Sequence, residues 1–260
     1  MVTNEQMRPA LFEYLLCLGD DMLVLGHRLS EWCGHAPIIE EDIALANIAL
    51  DCIGQGAALL RLAGHVEGKG RTDDALVYFR DPMDFKNAEL VEQPNGDFGF
   101  TIARQFLFDA FSYHLYEALS KSGHTELAAI ATKAFKEISY HLRHSSEWTR
   151  RLGDGTAESH ARIQNAFDEL WPLTDELFAA DESETVLVGA GVAANRESLK
   201  PAWDGTVNEV LKSATLARPQ EDGVKLHTRN GGPVRRHSEH LGRMLAEMQS
   251  LARAYPEAEW

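Results

Sequence analysis

The stretch KEISYHLRH, residues 136–144, places a glutamate and two histidines on one face of a predicted helix. His141 and His144 follow Glu137 by four and seven residues. Positions i, i+4 and i+7 of an α-helix share a face, so the three side chains can project toward one point. The pattern is typical of a metal-binding helix or of a helix descended from one. It can also arise from three unrelated polar residues.

Elsewhere in the chain, acidic residues at predicted interior positions of helices occur in two pairs with similar spacing. Asp21 and Asp51 lie 30 residues apart, and Asp109 and Glu137 lie 28 residues apart. Ferritin-like di-iron bundles have this arrangement, since one Glu from each of two helices joins a Glu-x-x-His motif from each of the other two. The spacing therefore predicts two helical hairpins and an all-α, ferritin-like four-helix bundle.

The metal pattern itself is incomplete. The x-x-His position after Asp51 is Gly54, and the one after Glu137 is Tyr140, with His141 one residue late. Three of the four carboxylates are Asp, which is one methylene shorter than Glu. We therefore predict no functional metal site, and we interpret seven residues as degenerate di-iron positions: Asp21, Asp51, Gly54, Asp109, Glu137, Tyr140 and His141. The alternative is a ferritin-like metalloenzyme with one metal on Asp109, Glu137 and His141, because i and i+4 residues ligate together in other helical sites.

Buried acids without a metal need other partners, because an uncompensated carboxylate in a helical core is costly. We expect Asp109 to be satisfied by tyrosine hydroxyls or a basic group, and Asp51 by Asn47, Gln55 or water. His141 falls among apolar positions and is predicted to be a hydrogen-bonded core histidine. His144 is predicted to lie at the surface.

Helical periodicity is nearly continuous, and alternating strand patterns are almost absent. The chain is predicted to be one domain, 1–260, since no linker is rich in Pro, Gly or Ser. Pro172 should kink or split its helix, and VLVGAGVAANRE, residues 186–197, is predicted to be a loop. The predicted core helices span about 10–33, 38–67, 98–121 and 124–152, and the extra helices about 156–180, 197–216 and 234–255.

Composition narrows the function further. A net charge of −15 argues against a general nucleic-acid binder, which needs a basic surface. The three cysteines form no metal or disulfide pattern. The N-terminal stretch resembles neither a signal peptide nor a membrane span, so a cytoplasmic protein is expected.

The most basic segment, residues 225–240, contains Lys225, Arg229, Arg235 and Arg236. It fits either an acidic partner or coenzyme A phosphate, for which arginine is suited, or simply a solvated loop before a helix.

Four long runs carry a family resemblance. They are LGDDMLVLGHRLSEWCGHAPIIEEDIALANIALDCIGQ (18–55), LVEQPNGDFGFTIARQFLFDA (90–110), KAFKEISYHLRHSSEWTRRLGDGT (133–156) and SEHLGRMLAEMQSLARAYP (238–256). These runs resemble the C subunits of bacterial phenylacetyl-CoA epoxidases, the multicomponent ring 1,2-epoxidases of aerobic phenylacetate degradation. The resemblance extends from the first predicted helix to the C-terminus.

The resemblance implies a structural subunit that is not itself catalytic and holds no cofactor, although it would belong to the oxygenase component of a di-iron monooxygenase. Its expected partners are a homologous catalytic A subunit with the di-iron site, a small bridging B subunit and a reductase. The first two helices have a nearly continuous apolar surface, so they are either the contact with the A subunit, which we expect, or simply central helices of the bundle. A homodimer of this chain alone stays open. A helical adaptor in another CoA-linked pathway is a further alternative.

Overall fold

The structure is a computed structural model that describes residues 4–180, 182–220, 228–229, 232–233 and 237–258. Helices joined by turns and loops make up these residues, together with one two-residue antiparallel strand pair, β1 (Thr228–Arg229) with β2 (Gly232–Pro233). The helices are α1 (Asn4–Ser30), α2 (Ile39–Glu67), α3 (Asp73–Tyr78), α4 (Glu89–Glu92), α5 (Phe98–Leu119), α6 (Thr125–Gly153), α7 (Ala157–Leu170), α8 (Glu182–Gly189), α9 (Lys200–Ser213), α10 (Glu239–Met248) and α11 (Ser250–Ala254).

Four long helices form the bundle. α1 packs along α2, α5 packs along α6, and α2 packs against α6. α7 and α9 then cover α5 and α6, and α8 lies against α1. The predicted all-α, ferritin-like bundle with additional C-terminal helices is confirmed, because four apolar helices of this length can bury their surfaces only against one another.

The boundaries of the extra helices differ from the sequence prediction. α7 ends at Leu170, and a 3₁₀ turn at Trp171–Leu173 contains Pro172, so the predicted split is confirmed. The predicted loop over 186–197 is wrong in its first part, because α8 extends to Gly189. The last predicted helix is divided into α10 and α11 at Gln249. Residues 234–236, Lys225 and most of the basic segment lie outside the described residues.

The segment between α2 and α5 is fixed to α1 by buried charge. Both guanidinium Nη atoms of Arg80 donate to Asp20, and the backbone N–H of Lys86 also donates to Asp20 at 2.9 Å. Asp21 accepts from the backbone N–H of Ala88 at 2.7 Å. Because Asp20 and Arg80 are both buried, the loss of either partner would leave an uncompensated charge in the core.

A second buried ion pair joins α8 to the loop that follows it. Nε of Arg196 donates to Glu184 at 2.7 Å, and its guanidinium carbon lies 5.6 Å from the centre of the Phe111 ring. This contact fixes the chain over the bundle between α8 and α9. The sequence VLVGAGVAANRE alone does not predict that Arg196 is buried, because its partner Glu184 lies just before that stretch.

Among the described residues, one helix, α2, is long and apolar enough to cross a membrane by length and composition alone. A core helix of a helical bundle passes the same test. α2 packs on both α1 and α6, and 44% of its most apolar window is buried inside the protein.

Candidate functional site

The residues that the metal pattern singles out meet along the contact between α2 and α6, with α5 behind them. Nε2 of His141, on α6, donates to Oδ2 of Asp51, on α2, at 3.1 Å. An ionised carboxylate only accepts hydrogen bonds, so Nε2 is the protonated nitrogen in this contact. His141 is only 1% exposed, and the prediction of a hydrogen-bonded core histidine is confirmed. Asp51 is bonded to it rather than to Asn47 or Gln55, and its expected burial is wrong, since its side chain is 40% exposed.

Asp109 lies behind this pair, on the buried face of α5. Its two carboxylate oxygens accept from Nε2 of Gln105 and from the hydroxyl of Ser145, both at 2.7 Å. The expected tyrosine or basic partner is therefore wrong, since short polar side chains one turn away on α5 and across on α6 reach Asp109 instead. Burial raises the pKa of Asp109 to about 6, although His141, Ser145 and Gln105 act in the opposite direction.

Two further contacts complete a polar seam between α2 and α6. Nε2 of Gln55 donates to Glu137 at 2.8 Å, and Nζ of Lys133 lies 3.7 Å from the same carboxylate. Nε2 of His144 donates to Glu41 at 2.8 Å. The side chain of His144 is 10% exposed, so its predicted surface position is wrong. We call the contacts of Glu41, Asp51, Gln55, Glu137, His141 and His144 the α2–α6 seam.

Two of the seven predicted positions face away from the bundle. A Cβ built on Gly54 meets no atom within 4 Å, and Tyr140 is 48% exposed beneath the Arg143 guanidinium. The assignment of these two residues to the x-x-His positions is therefore a register error, because one residue along a helix rotates the side chain by about 100°.

The positions that do face the interior are one residue further on. On α2 they are Cys52 and Gln55, and on α6 they are Ile138 and His141, all of them buried. Each pair has the spacing of Glu-x-x-His. Cys52 lies among carboxylates as well as apolar groups, and burial followed by the charge of Asp109 raises the pKa of its thiol well above the usual range.

Asp21 does not join the seam. Its carboxylate is bonded to the backbone N–H of Ala88, and its electrostatic neighbours are Tyr116 and Arg196. The 30-residue spacing from Asp21 to Asp51 thus reflects two antiparallel helices rather than two side chains that meet. Asp20, beside it, is bonded to Arg80.

This donor set does not fit a pair of metal ions. A di-iron bundle takes four carboxylates and two histidines from inward positions, whereas Cys52, Gln55 and Ile138 occupy three of those positions here. Among the described residues, no group of three or more His, Cys, Asp or Glu side chains lies close enough to hold a metal ion. In particular, Glu137 is bonded to Gln55 and Asp109 to Ser145, so Asp109, Glu137 and His141 do not converge.

The outer side of α2 is apolar and exposed. Ile39, Ile43 and Leu50 are 68%, 56% and 67% exposed, and Gly54 continues the same stripe. We call Ile39, Ile43, Leu50 and Gly54 the α2 face. In contrast, α1 is buried along almost its whole described length.

Comparison of the sequence with known proteins identifies its family. The profile of the phenylacetic acid catabolic protein family matches residues 1–260. One relative, the C subunit of the 1,2-phenylacetyl-CoA epoxidase of Escherichia coli (strain K12), is 48% identical over 250 residues, which cover 96% of this chain and 99% of the relative. Because both matches extend over nearly the whole sequence, this chain belongs to the phenylacetic acid catabolic protein family.

Proposed function

We propose that this chain takes part in phenylacetate catabolism as the structural subunit of a phenylacetyl-CoA epoxidase, paired with a homologous catalytic A subunit that carries the di-iron site. One observation carries the proposal. The interior positions of α2 and α6 hold Cys52, Gln55 and Ile138 in place of the Glu and His residues of a di-iron bundle, while the outer side of α2 keeps an apolar surface suited to a partner.

The α2 face is the proposed contact with the A subunit. Exposed apolar patches rimmed by polar residues mark protein–protein interfaces, and stable subunit interfaces are large and apolar at their centre. Ile39, Ile43 and Leu50 supply the apolar centre. Gly54 lets a partner helix approach the backbone closely, because it carries no side chain.

Two basic side chains on α6, Arg143 and Arg151, line a cavity with the seam residues Glu41 and His144. Arg143 lies over the ring of Tyr140, and Arg151 lies over the ring of Trp148, at 5.1 and 5.3 Å from the ring centres. Neither guanidinium has a carboxylate within ion-pair distance among the described residues. Stacking on an aromatic ring holds an arginine in place, so both are suited to acidic side chains at the rim of an interface.

Of the first two helices, we now propose that α2 alone contacts the A subunit. α1 is a central helix whose apolar surface is covered by α2 and α8, whereas α2 has an exposed apolar surface. The bridging B subunit and the reductase are proposed partners of the assembled enzyme. The cytoplasmic location stays an expectation from the sequence.

Co-purification tests the proposal directly. The chain is expressed with the A subunit of the same organism, and the complex is isolated through a tag on the A subunit. Leu50→Glu should abolish co-purification, because a buried charge opposes an apolar interface. Leu251→Glu, at a similarly exposed leucine on α11, is the matched control and should leave the complex intact.

Metal analysis separates the structural role from the metalloenzyme alternative. The chain expressed alone, and reconstituted anaerobically with iron, should hold almost no iron. A content of about one iron per chain, as for a single metal on Asp109, Glu137 and His141, or of about two, as in a di-iron bundle, would contradict the proposal even if the complex forms.

A further inference from the structure

Apart from Tyr140 on α6, the exposed large apolar side chains of the described residues fall into two separate sets. Ile38, Ile39, Ile43 and Leu50 form one set, just before α2 and along it. The other lies where the end of α3 meets the C-terminal helices and comprises Phe79, Met83, Leu251 and Tyr255, which are 50%, 84%, 53% and 62% exposed. No element described above covers the second set, and the proposed contact with the A subunit does not use it.

Phe79, Leu251 and Tyr255 of this second set border a groove with a volume of about 400 Å³. Tyr78 and Phe79 form one wall, at the end of α3, and Leu251 and Tyr255 form the other, on α11 and just after it. Met248 also lines the groove. The groove thus has a largely apolar lining, with an aromatic ring in each wall.

Hydrogen bonds hold the two walls together. Nε2 of Gln249 donates to the carbonyl oxygens of Val77 and Arg80, at 2.8 and 3.0 Å. Nε of Arg253 donates to the carbonyl of Tyr78 at 3.1 Å, and its Nη2 donates to the carbonyl of Arg80 at 2.8 Å. Because the walls are already in place, an occupant would not have to order them, and this reduces the cost of binding.

The net charge around the groove is negative, because Arg253, which joins the walls, is paired with Asp81 at 3.1 Å. Asp74 is the one charged residue in its lining, and Glu257 lies between the lining residues Pro256 and Ala258. Neither acid has an ion-pair partner among the described residues. Burial and then the charge of Asp74 raise the pKa of Tyr78, which places that carboxylate close to the apolar wall. An occupant that satisfies these acids must be basic as well as apolar.

We propose that this groove is a second docking site, for a protein segment that presents large apolar side chains flanked by lysine or arginine. The proposal is independent of the contact with the A subunit, since the two sites share no residue. The negative rim also disfavours an anionic lipid surface.

A pair of matched peptides tests the proposal. One labelled peptide carries leucine and tryptophan anchors between lysines, and the other has the lysines replaced by glutamates. Fluorescence anisotropy with the full chain should show binding of the lysine peptide only. Leu251→Glu and Asp74→Lys should each weaken that binding by about tenfold or more, as for the central residues of an interface. Leu50→Glu, on the α2 face, should not change it.

The proposal would be overturned by no binding of the lysine peptide, by equal binding of both peptides, or by equal affinity for the Leu251→Glu and unmodified chains. Binding that appears only after removal of Glu259 and Trp260 would also overturn it, because the occupant would then be the chain's own C-terminus. Far-UV circular dichroism shows that each variant is folded, and the exposure of Leu251 and Asp74 makes a loss of fold unexpected. Failure of the complex with the A subunit would leave the peptide result unaffected, so the two proposals fail separately.

Discussion

Nε2 of His141, on α6, lies 3.1 Å from Oδ2 of Asp51, on α2, and this contact connects the two halves of the bundle. In a di-iron bundle, carboxylates and histidines from these helices converge on metal ions between them. Here the imidazole bonds directly to a carboxylate. The remaining seam residues are likewise paired with one another, Gln55 with Glu137 and His144 with Glu41.

The first prediction concerns this contact. His141→Ala should lower the free energy of unfolding by about 2 to 4 kcal/mol, because it leaves a cavity in the core and removes the partner of Asp51. Chemical denaturation followed by circular dichroism measures the change. His35→Ala, at an exposed histidine before α2, should change the free energy by less than about 0.5 kcal/mol. An equal effect of the two substitutions would show that the seam does not stabilise the bundle.

The second prediction concerns the pH dependence set by Asp109. Burial raises its pKa from 3.8 to about 6 in the folded chain. A carboxyl with a raised folded pKa favours the folded state fully below the unfolded pKa, and that contribution is lost as the pH rises toward 6. A shift of about two units corresponds to roughly 3 kcal/mol.

Asp109→Asn tests this dependence, because asparagine keeps an oxygen for the hydroxyl of Ser145 and does not ionise. Between pH 4.5 and pH 7, the stability of the unmodified chain should fall relative to the variant by about 2 kcal/mol, somewhat less than the full shift implies. Urea denaturation of both chains across this range measures the difference. Parallel curves for the two chains would contradict the assignment of the effect to Asp109.

The face of α6 that points inward can be deduced from the sequence, whereas that of α2 cannot. α6 is strongly amphipathic, with Ala131, Ala134 and Ile138 on its buried side, and His141 extends that apolar arc. α2 is apolar around most of its circumference, with Leu50 exposed and Cys52 buried. Only packing decides which side of such a helix faces the bundle, and for this reason the sequence pattern places Gly54 at an interior position that Gln55 occupies.

Long-range polar contacts also cannot be predicted from the sequence. Asp20 and Asp21 are a recognisable pair of acids in an apolar helix, but their partners Arg80 and Ala88 lie in the connecting segment about 60 residues away. Ser145 has no pattern that marks it as the partner of Asp109. Residues of the connector and of the C-terminal helices meet only after the bundle has formed.

The third prediction concerns His237, which attaches the C-terminal segment. Its Nδ1 lies 2.9 Å from the Glu92 carboxylate and its Nε2 lies 2.9 Å from the carbonyl oxygen of Phe85. Both partners accept hydrogen bonds, so the ring must donate from both nitrogens and be protonated. Burial alone would lower the pKa of His237, but the bonds to Glu92 and Phe85 outweigh it and raise the pKa.

A histidine with a raised folded pKa stabilises the fold fully below its unfolded pKa of about 6.5, and the contribution is lost as the pH rises through the folded value. The unmodified chain should therefore lose stability above pH 6.5 relative to His237→Gln, whose side chain does not titrate. Denaturation curves from pH 6 to pH 9 measure this. A constant difference between the two chains over that range would show that His237 does not carry a proton in the folded state.

The last prediction uses Gly54 to test the α2 face without weakening the fold. A Cβ at Gly54 meets no atom within 4 Å, and the same holds for Gly205, an exposed glycine within α9. Replacement of a glycine inside a helix by leucine should stabilise the isolated chain by about 0.5 to 1 kcal/mol at either site.

Gly54→Leu should nevertheless weaken binding of the A subunit by about tenfold or more, because the leucine side chain fills the space of the partner's backbone. Gly205→Leu should leave that affinity unchanged. Calorimetry of each variant with the purified A subunit, together with its melting temperature, separates the two effects. Equal affinities for the two variants would place the A subunit on another surface of this chain.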